Sequence, residues 1–594
     1  MATPIVTIVD PNTKKEVSKP FDCIRLDIIK EVNRIPSAEI VLREAGNKDE
    51  YFPKSKEGNF KPGKYLEIQL AYAGNPGRKE TVFKGIVIRH RIKGSDQGTR
   101  LIVELKDSAY KLTTVRRSTV YYADAKTPVS DTDIIRQIID EAKKKEAVTN
   151  PPFPIQGPAI DSAIRLYQHK ESQSRYYCTD WDFILSRTDI NGLLVIVSDG
   201  YIGIKPMPDL SRAGAASTPS HVFSIGIPPV VLDFEMEIDM RCQYNKIESY
   251  CWDIDEQHLM RKSQAKDFSI KQAKDVNVKE VNKSLGRDIC KLLQPGVSEK
   301  DELVNWANAK MAKTQMAMVR GRITIKGDAK YKVSDLIKIT KVSEMFNEIT
   351  MITGVRHVVN AESGWRTYIQ FGLSPQWFSE NEDIAGILAS GMLPPVNGLQ
   401  IGVVDKYEEK KFGGDPRVRV KIEAMSLETD KKVKPVWARL SSADAGDKRG
   451  TFFRPEPGDE VILGFFNNDP RQPVILGSMY GTKKKNPPPF TPTDKNDIKG
   501  LVTKNGVKLQ IDETKDACTI TVEIPGAGKE LNRIVLKQKE GITLSDQNKN
   551  TITMNDQGIS LGDQHKNKIT MSSAGIHLET NKNFTVKANN MKVE

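Results

Sequence analysis

Residues Gly541–Leu578 repeat at a fixed interval, and no other stretch of this 594-residue chain limits its fold as sharply. Gly541-Ile-Thr-Leu returns as Gly558-Ile-Ser-Leu and Gly575-Ile-His-Leu, each 17 residues after the last. Asn550-Thr-Ile-Thr-Met returns as Asn567-Lys-Ile-Thr-Met at the same interval. Each period holds two short strands marked by apolar pairs two residues apart: Ile542/Leu544, Ile552/Met554, Ile559/Leu561, Ile569/Met571 and Ile576/Leu578. Side chains at i and i+2 share one face of a strand, and the polar Asp-Gln-Asn-Lys runs between them supply corners. Such a period implies a β-solenoid or β-prism.

Strands of about five residues carry only two inward side chains each. The pairs recur at alternating intervals of 10 and 7, which does not fit a six-residue left-handed coil. One such ribbon cannot bury its own apolar face, whereas three copies wound about a threefold axis can. The reading is a homotrimeric needle with those ten side chains as its core. With about ten stacked strands at roughly 4.8 Å each, it is on the order of 50 Å long. The alternative is a lone two-layer β-tail packed on the main body.

Length allows three or four domains. Apolar content of 38% and charged content of 28% suit an elongated molecule with much surface. The net charge of +12 comes from 89 basic against 77 acidic residues. The basic residues form only short runs such as Lys143-Lys-Lys and Lys483-Lys-Lys, without interleaved aromatics, so a solvated surface is favoured over a nucleic-acid site. Cys23, Cys178, Cys242, Cys251, Cys290 and Cys518 show no CxxC spacing, which argues against a zinc site and a disulfide framework. MATPIVTIVD lacks the features of a signal peptide and no window approaches 18 apolar residues, so a soluble protein made in the cytoplasm is expected.

Residues 1 to about 125 are strand-rich, a helix is expected over about Asp133–Lys145, and Pro151-Pro-Phe-Pro breaks the pattern. Residues 180–190 read as a second helix, Asn191-Gly as a turn, and Leu193–Val197 with Tyr201–Ile204 as a hairpin. A third helix is expected over about Asp301–Met318, after which strands resume to Leu373. Trp181-Asp-Phe-Ile-Leu-Ser-Arg, followed by Asn191-Gly-Leu-Leu and Asp199-Gly, resembles the DWDF-L-x-R…GL…DG segment of VgrG proteins, the spike proteins of type VI secretion and related contractile injection systems. Arg34-Ile-Pro-Ser-Ala-Glu-Ile-Val-Leu and Phe83-Lys-Gly-Ile-Val match strand signatures near that family's N-terminus, and the resemblance spans nearly the whole chain. Leu193-Leu-Val-Ile-Val is less aromatic than in some members, which points to a branch nearer phage-tail-like particles.

The resemblance implies a mainly β protein. Residues 1–378 form a phage-hub-like (gp27-like) region of β-barrels with inserted helices, and 379–397 a linker. Residues 398–482 form an OB-fold barrel, 483–503 a Pro/Lys-rich connector, and 504–594 an intertwined triple-stranded β-helix. Trp181, Asp182, Phe183, Gly192, Gly458 and Gly477 are its signature residues, in structural roles, with Gly458 and Gly477 expected at turns. The implied partners are a homotrimer, a hexameric Hcp-like inner tube, baseplate proteins, a PAAR-type tip protein docked near Phe584 and Val586, and effectors. A target membrane is met only on firing. The implied location is the bacterial cytoplasm for synthesis and assembly, then expulsion with the particle.

Chemistry is sparse. No HExxH, GxSxG, Walker loop or EF-hand is present. Gly526-Ala-Gly-Lys529 lacks the first glycine and the Ser/Thr of a phosphate loop and reads as a β-turn. His565 and His577 fall within the repeat, but His577 alternates out of phase with Ile576 and Leu578 and should face outward. Asp180 and Asp182 read as helix N-terminal residues in preference to an acid/base pair. No hydrolase fits in the about twenty residues between barrel and needle, and the β pattern is read to continue to Val593-Glu594. No catalytic residue, cofactor or metal is therefore expected. The rival functions are a hub-borne hydrolase using Asp180 or Asp182, and a trimeric tail-fibre-like adhesin.

Overall fold

The computed structural model describes residues 5–594 except 20–21, 45, 47–48, 50, 73–74, 97, 125, 209–218, 227–230, 267–272, 274–275, 347–348, 385, 408–416, 426–432, 483–484 and 527–530. Two compact units divide the chain, Met1–Gly386 and Ile387–Glu594, and the division falls inside the expected 379–397 linker. Most of Gly526-Ala-Gly-Lys529 lies outside the described residues.

Twelve strands of the first unit belong to one sheet. In chain order they are β1 (Val6–Val9), β2 (Cys23–Glu31), β3 (Ser37–Glu44), β4 (Tyr65–Tyr72), β5 (Asn75–Ser95) and β6 (Gly98–Lys106). The second set is β7 (His221–Ser224), β8 (Val231–Ile238), β9 (Val319–Lys326), β10 (Leu336–Thr340), β11 (Ile349–Asn360) and β12 (Gly364–Phe371). The first six lie in the spatial order β1-β4-β5-β6-β3-β2, and the second six in the order β7-β10-β11-β12-β9-β8, the same strand order twice, although β1 runs antiparallel to β4 and β7 parallel to β10. Each set has its own core, one around Leu26, Ile40, Phe83 and Leu101, the other around Phe223, Ile323, Ile369 and Phe371. The two lobes meet where β2 pairs antiparallel with β11, Arg25–Glu31 against Gly354–Asn360. There the Arg356 guanidinium grips Asp27 bidentately, Nε to Oδ1 at 2.7 Å and Nη2 to Oδ2 at 2.5 Å.

Two helices lie between the lobes in sequence, and a third lies within the second lobe, between β8 and β9. α1 (Asp131–Ala147) starts at a capping box, with Ser130 Oγ accepting from Asp133 N and Asp133 Oδ2 accepting from Ser130 N, and buries Ile134, Ile135, Ile138 and Ile139. α2 (Asp180–Ile190) has the expected bounds, and the hairpin Leu193–Ser198/Tyr201–Pro206 follows it. Asp199 and Gly200, at φ 55° and 89°, give that hairpin the doubly left-handed turn that suits its twist. α3 (Lys300–Met316) packs on a three-stranded sheet of His258–Gln264, Lys246–Asp253 and Ile289–Gln294 that sequence periodicity did not reveal.

In the second unit a closed five-stranded barrel spans Gln400–Met479 around Val404, Val418, Val461 and Ile475. Gly458 takes φ 96° in a turn, but Gly477 lies within the strand Pro473–Met479, beside a register shift, rather than at a turn. Phe452, Phe453, Phe466 and Tyr480 are exposed, all on connections rather than strand faces. The sheet that follows begins at Ile498, ahead of the expected 504. No helix among the described residues is long and apolar enough to cross a membrane.

His357 on β11 is 5% exposed, with Nδ1 3.0 Å from Thr367 Oγ1 and accepting from the Trp365 indole N–H at 3.3 Å. Burial, then the charges of Lys30 and Lys332, drive its pKa down from 6.5 to about 3. The folded chain therefore binds fewer protons than the unfolded chain between those values. The contribution of His357 is complete above pH 6.5 and is lost at about 1.4 kcal/mol per unit as the pH falls toward 3. Asp107 acts the other way, because burial raises its carboxyl to about 6 and charging it costs stability as the pH rises through that value. Comparison with His357→Gln isolates the histidine. Denaturant unfolding followed by tryptophan fluorescence should show the wild-type advantage shrinking by about 2 to 3 kcal/mol between about pH 7.5 and about pH 4.5. A constant difference would mean that His357 is not the acid-sensitive group.

Candidate functional site

The repeat is the C-terminal part of a nine-stranded antiparallel sheet in which every strand pairs with the next. Its last five strands are Gly541–Ser545, Thr551–Asn555, Gly558–Gly562, Lys568–Ser572 and Gly575–Glu579. Loops of five residues (546–550, 563–567) alternate with loops of two (556–557, 573–574), which produces the 10 and 7 spacing of the apolar pairs. Ile542 lies opposite Met554, then Ile559, Met571 and Ile576 in turn, while Leu544 lies opposite Ile552, then Leu561, Ile569 and Leu578. All ten predicted side chains thus form two columns on one face.

The columns continue backward through Leu536, Ile520 and Ile511, and through Ile534, Val522 and Leu509. Sequence reading missed these six because the 17-residue period does not extend to them; apolar alternation in Thr519–Pro525 and Leu531–Lys537 was the available signal. Among the described residues most of this face is open to solvent. Ile520, Ile534, Leu536, Ile552, Ile559, Ile569, Leu578 and Ile576 are between 37% and 71% exposed. Covering so many aliphatic side chains contributes on the order of 10 kcal/mol or more per chain before the cost of association. The opposite face carries Thr543, Thr553, Ser560, Thr570 and His577 in mutual register, so His577 points away from the columns as its phase required.

The corners are built by side chains. Asp546 Oδ1 accepts from the backbone N–H groups of Asn548 and Asn550, both at 2.9 Å, and its Oδ2 accepts from Asn550 Nδ2 at 2.7 Å. Asp563 does the same with His565 and Asn567 one period later. Asn550 Oδ1 also accepts from Gln564 N at 3.1 Å, which ties one corner to the next. These bonds hold both aspartates below the usual carboxylate range. Gly541 (φ 89°) and Gly558 (φ 122°) are fixed by close approach, since a Cβ there would lie 1.9 Å from the carbonyl oxygen of Met554 or Met571. Gly575 (φ 111°) has open space instead. Near the start of the sheet, Glu523 is 7% exposed and pairs with Lys508 and, at 2.8 Å, with Arg533 on the flanking strands.

The DWDF segment is an anchor. Thr179 caps α2, its Oγ1 accepting from Asp182 N at 3.1 Å and donating to Asp182 Oδ2 at 2.6 Å. Asp180, 4% exposed, sits between Arg117 (2.7 Å) and Arg175 (2.5 Å). Trp181 and Phe183 are buried, the latter 5.6 Å from the Tyr121 ring. Gly192 (φ 67°) ends the helix 3.4 Å from Ala309 of α3, measured from where a Cβ would stand. Arg187 grips Asp131 of α1 bidentately, at 2.7 and 2.9 Å, and reaches Glu302 of α3 at 3.0 Å. Burial alone would raise the Asp131 carboxyl, but the His169 hydrogen bond and the Arg187 charge hold it at about 2.

Phe584 and Val586 are exposed, but they lie beyond the last strand, because the β pattern expected to run to Glu594 stops at Glu579. Phe584 lines the same groove as Leu578 and Ile569.

Two sequence families match the chain. One described as the Alg8 N-terminal domain covers residues 5–361, more than half of it, and one described as the type VI secretion system/phage-baseplate injector OB domain covers residues 400–480. The actin cross-linking toxin VgrG1 of Vibrio cholerae serotype O1 is 33% identical over 135 residues, 22% of this chain and 11% of that protein. The type VI secretion system spike protein VgrG1c of Pseudomonas aeruginosa is 32% identical over 102 residues, 17% of this chain and 14% of that protein. The chain therefore spans far less than two thirds of these relatives. A tail protein from Neisseria meningitidis MC58 superposes with a TM-score of 0.42 at 13% identity, over 64% of this chain and 99% of its own.

Two stability measurements follow. Gly541→Ala and Gly558→Ala should each lower the unfolding free energy of the sheet by about 2 to 4 kcal/mol and Gly575→Ala by only about 1; equal losses at all three would deny the close approach. Arg187→Ala should cost about 3 to 5 kcal/mol by leaving buried Asp131 without its main cation, whereas a loss under about 1 would mean that the link to α1 is not structural.

Proposed function

We propose that this chain, which belongs to the family described as the Alg8 N-terminal domain, is the spike subunit of a contractile injection machine. The observation that carries this reading is the uncovered double column of the nine-stranded sheet. Three copies turn their columns onto a common axis and form a needle with the threonine face and the Asp/Lys corners outward. Thrust along the needle is borne by the backbone hydrogen bonds between successive strands, which run along its axis. Closure of the three sheets leaves no open edge along its length.

The rest of the chain adapts that needle to its machine. Each hub contributes two lobes of one strand order, so three hubs present six similar surfaces to a hexameric Hcp-like tube ring, within a baseplate. The OB barrel serves as a collar. A PAAR-type tip protein docks at the needle end near Phe584 and Val586, effectors travel with the assembly, and the target membrane is met only on contraction. The work is mechanical. The engagement of Asp180 with Arg117 and Arg175, and of Asp182 with the cap of α2, supports a structural role for the motif in place of acid/base chemistry.

Light scattering tests the reading. The full chain should run at three times its 66.5 kDa, and a chain ending at Asn496, which lacks the whole sheet, should dissociate or associate much more weakly. Leu561→Asp, a charge in the column, should weaken the trimer by about tenfold or more. A monomeric full-length chain would overturn the reading.

A further inference from the structure

A cavity of about 290 Å³ lies beside the seam where β2 pairs with β11. In that pairing Lys30 stands opposite Val355, and His357 follows two residues on. The three side chains therefore share one face of the sheet, the face turned away from Asp27 and Arg356. The hairpin Leu193–Ser198/Tyr201–Pro206 covers the cavity with Ile196, Val197 and Lys205, and the turn ahead of β10 adds Lys332, Val333 and Ser334. β5 of the first lobe closes the side with Thr81 and Val82. Both lobes and the hairpin meet around this one space.

Its charge is unbalanced. Lys30, Lys205 and Lys332 line it against one carboxylate, Asp335. Asp335 Oδ2 already accepts from Lys332 N at 3.0 Å and lies 3.4 Å from His221 Nε2. Lys30 Nζ reaches Ser198 Oγ at 3.3 Å and Asp199 Oδ1 at 3.4 Å, both long, and Lys205 Nζ donates to Ser334 Oγ at 3.0 Å. The Lys332 ammonium has no carboxylate partner among the described residues. Burial lowers the pKa of Lys30 and of His357, and the Lys332 charge lowers both further.

His357, 5% exposed, brings an unused donor. The Trp365 indole donates to its Nδ1, so the neutral ring carries its proton on Nε2. Trp365 and Thr367, the neighbours of Nδ1, do not line the cavity, whereas His357 does. The ring thus turns Nε2–H toward the space, where it has no partner among the described residues. A buried donor without an acceptor is costly, and an anion seated there removes that cost. Val82, Val197, Ala329 and Val355, all buried, make the rest of the wall apolar.

We propose that this cavity binds a free short-chain aliphatic carboxylate, with its oxygens on His357 Nε2–H and the Lys30 and Lys332 ammonium groups and its chain against the four apolar residues. The volume suits on the order of ten non-hydrogen atoms, too few for an acid carried on a peptide. The apolar wall selects such an acid over inorganic phosphate, which has no apolar part to bury. Tyr201, Lys205 and Lys332 are exposed at the rim, so the ligand enters from solvent. Once bound, it touches both lobes and the hairpin and ties them together. The site belongs to a single chain and is independent of the trimer proposed above.

Calorimetric titration of the full chain with isovalerate tests it. One isovalerate should bind per chain, and inorganic phosphate and isobutylamine should each bind about tenfold more weakly or worse. Lys332→Gln, at an exposed position, should lower the isovalerate affinity by about tenfold. Lys338→Gln, exposed on β10 and outside the cavity, should leave it unchanged. Isovalerate should also raise the melting temperature of the unaltered chain and fail to raise that of Lys332→Gln at the same concentration. Equal losses at the two lysines would reduce the effect to net charge and overturn the site. Phosphate binding as tightly as isovalerate, or no isovalerate binding at all, would overturn it too. Acetyl-Ala-Ala-Val binding as tightly as isovalerate would overturn the assignment to a free acid.

Discussion

A β-sheet is complete only when its apolar face is covered and its hydrogen-bonding edges are paired. One copy of this chain meets neither condition. In the C-terminal sheet the deficit is a face, two columns of aliphatic side chains left largely open among the described residues. In the N-terminal sheet it is an edge, half of β5 and the outer side of β8. Both leave surfaces to which further strands can add. The corner aspartates hold the C-terminal face in a fixed geometry.

Between the lobes, α2 is the hinge point of polar bonding: Asp180 binds Arg117 and Arg175, Arg187 binds Asp131 of α1 and Glu302 of α3, and Asp189 binds Lys313 of α3 at 2.5 Å. One short helix thereby fixes its neighbours on several sides. Asp131, Arg175, Asp180, Asp189 and Lys313 among these charges are buried, where the loss of one partner is expensive. A motif dense in Asp, Trp and Arg can thus be recognisable without being catalytic.

Periodicity made the C-terminal sheet legible, because the side chains that define its face recur with the loops that define its corners. α2 was legible to the residue, since Thr179 ahead of it is a cap and Asn191-Gly192 a stop. The columns before Gly541 were not, because Thr519–Pro525 and Leu531–Lys537 are longer strands that break the period. The sheet Lys246–Asp253, His258–Gln264 and Ile289–Gln294 escaped because Trp252, Leu259 and Leu293 stay exposed on its far face and blur the alternation. Gly477 misled because glycine suits a bulge as well as a turn. The final residues misled too, since alternation in Phe584–Val593 meets no neighbouring strand to pair with.

The alternation of five- and two-residue loops has a consequence for how such a chain changes over generations. Seventeen residues restore the phase of the columns, the position of the corner aspartate and the direction of the strand together. Length is therefore counted in whole periods: the sheet can gain or lose two strands at once and remain the same object. A single inserted residue inside a strand would turn every following aliphatic side chain to the threonine side. Reach is digital in this part of the molecule, and a lineage that needs a longer or shorter sheet has duplication and deletion of one unit as its smallest step.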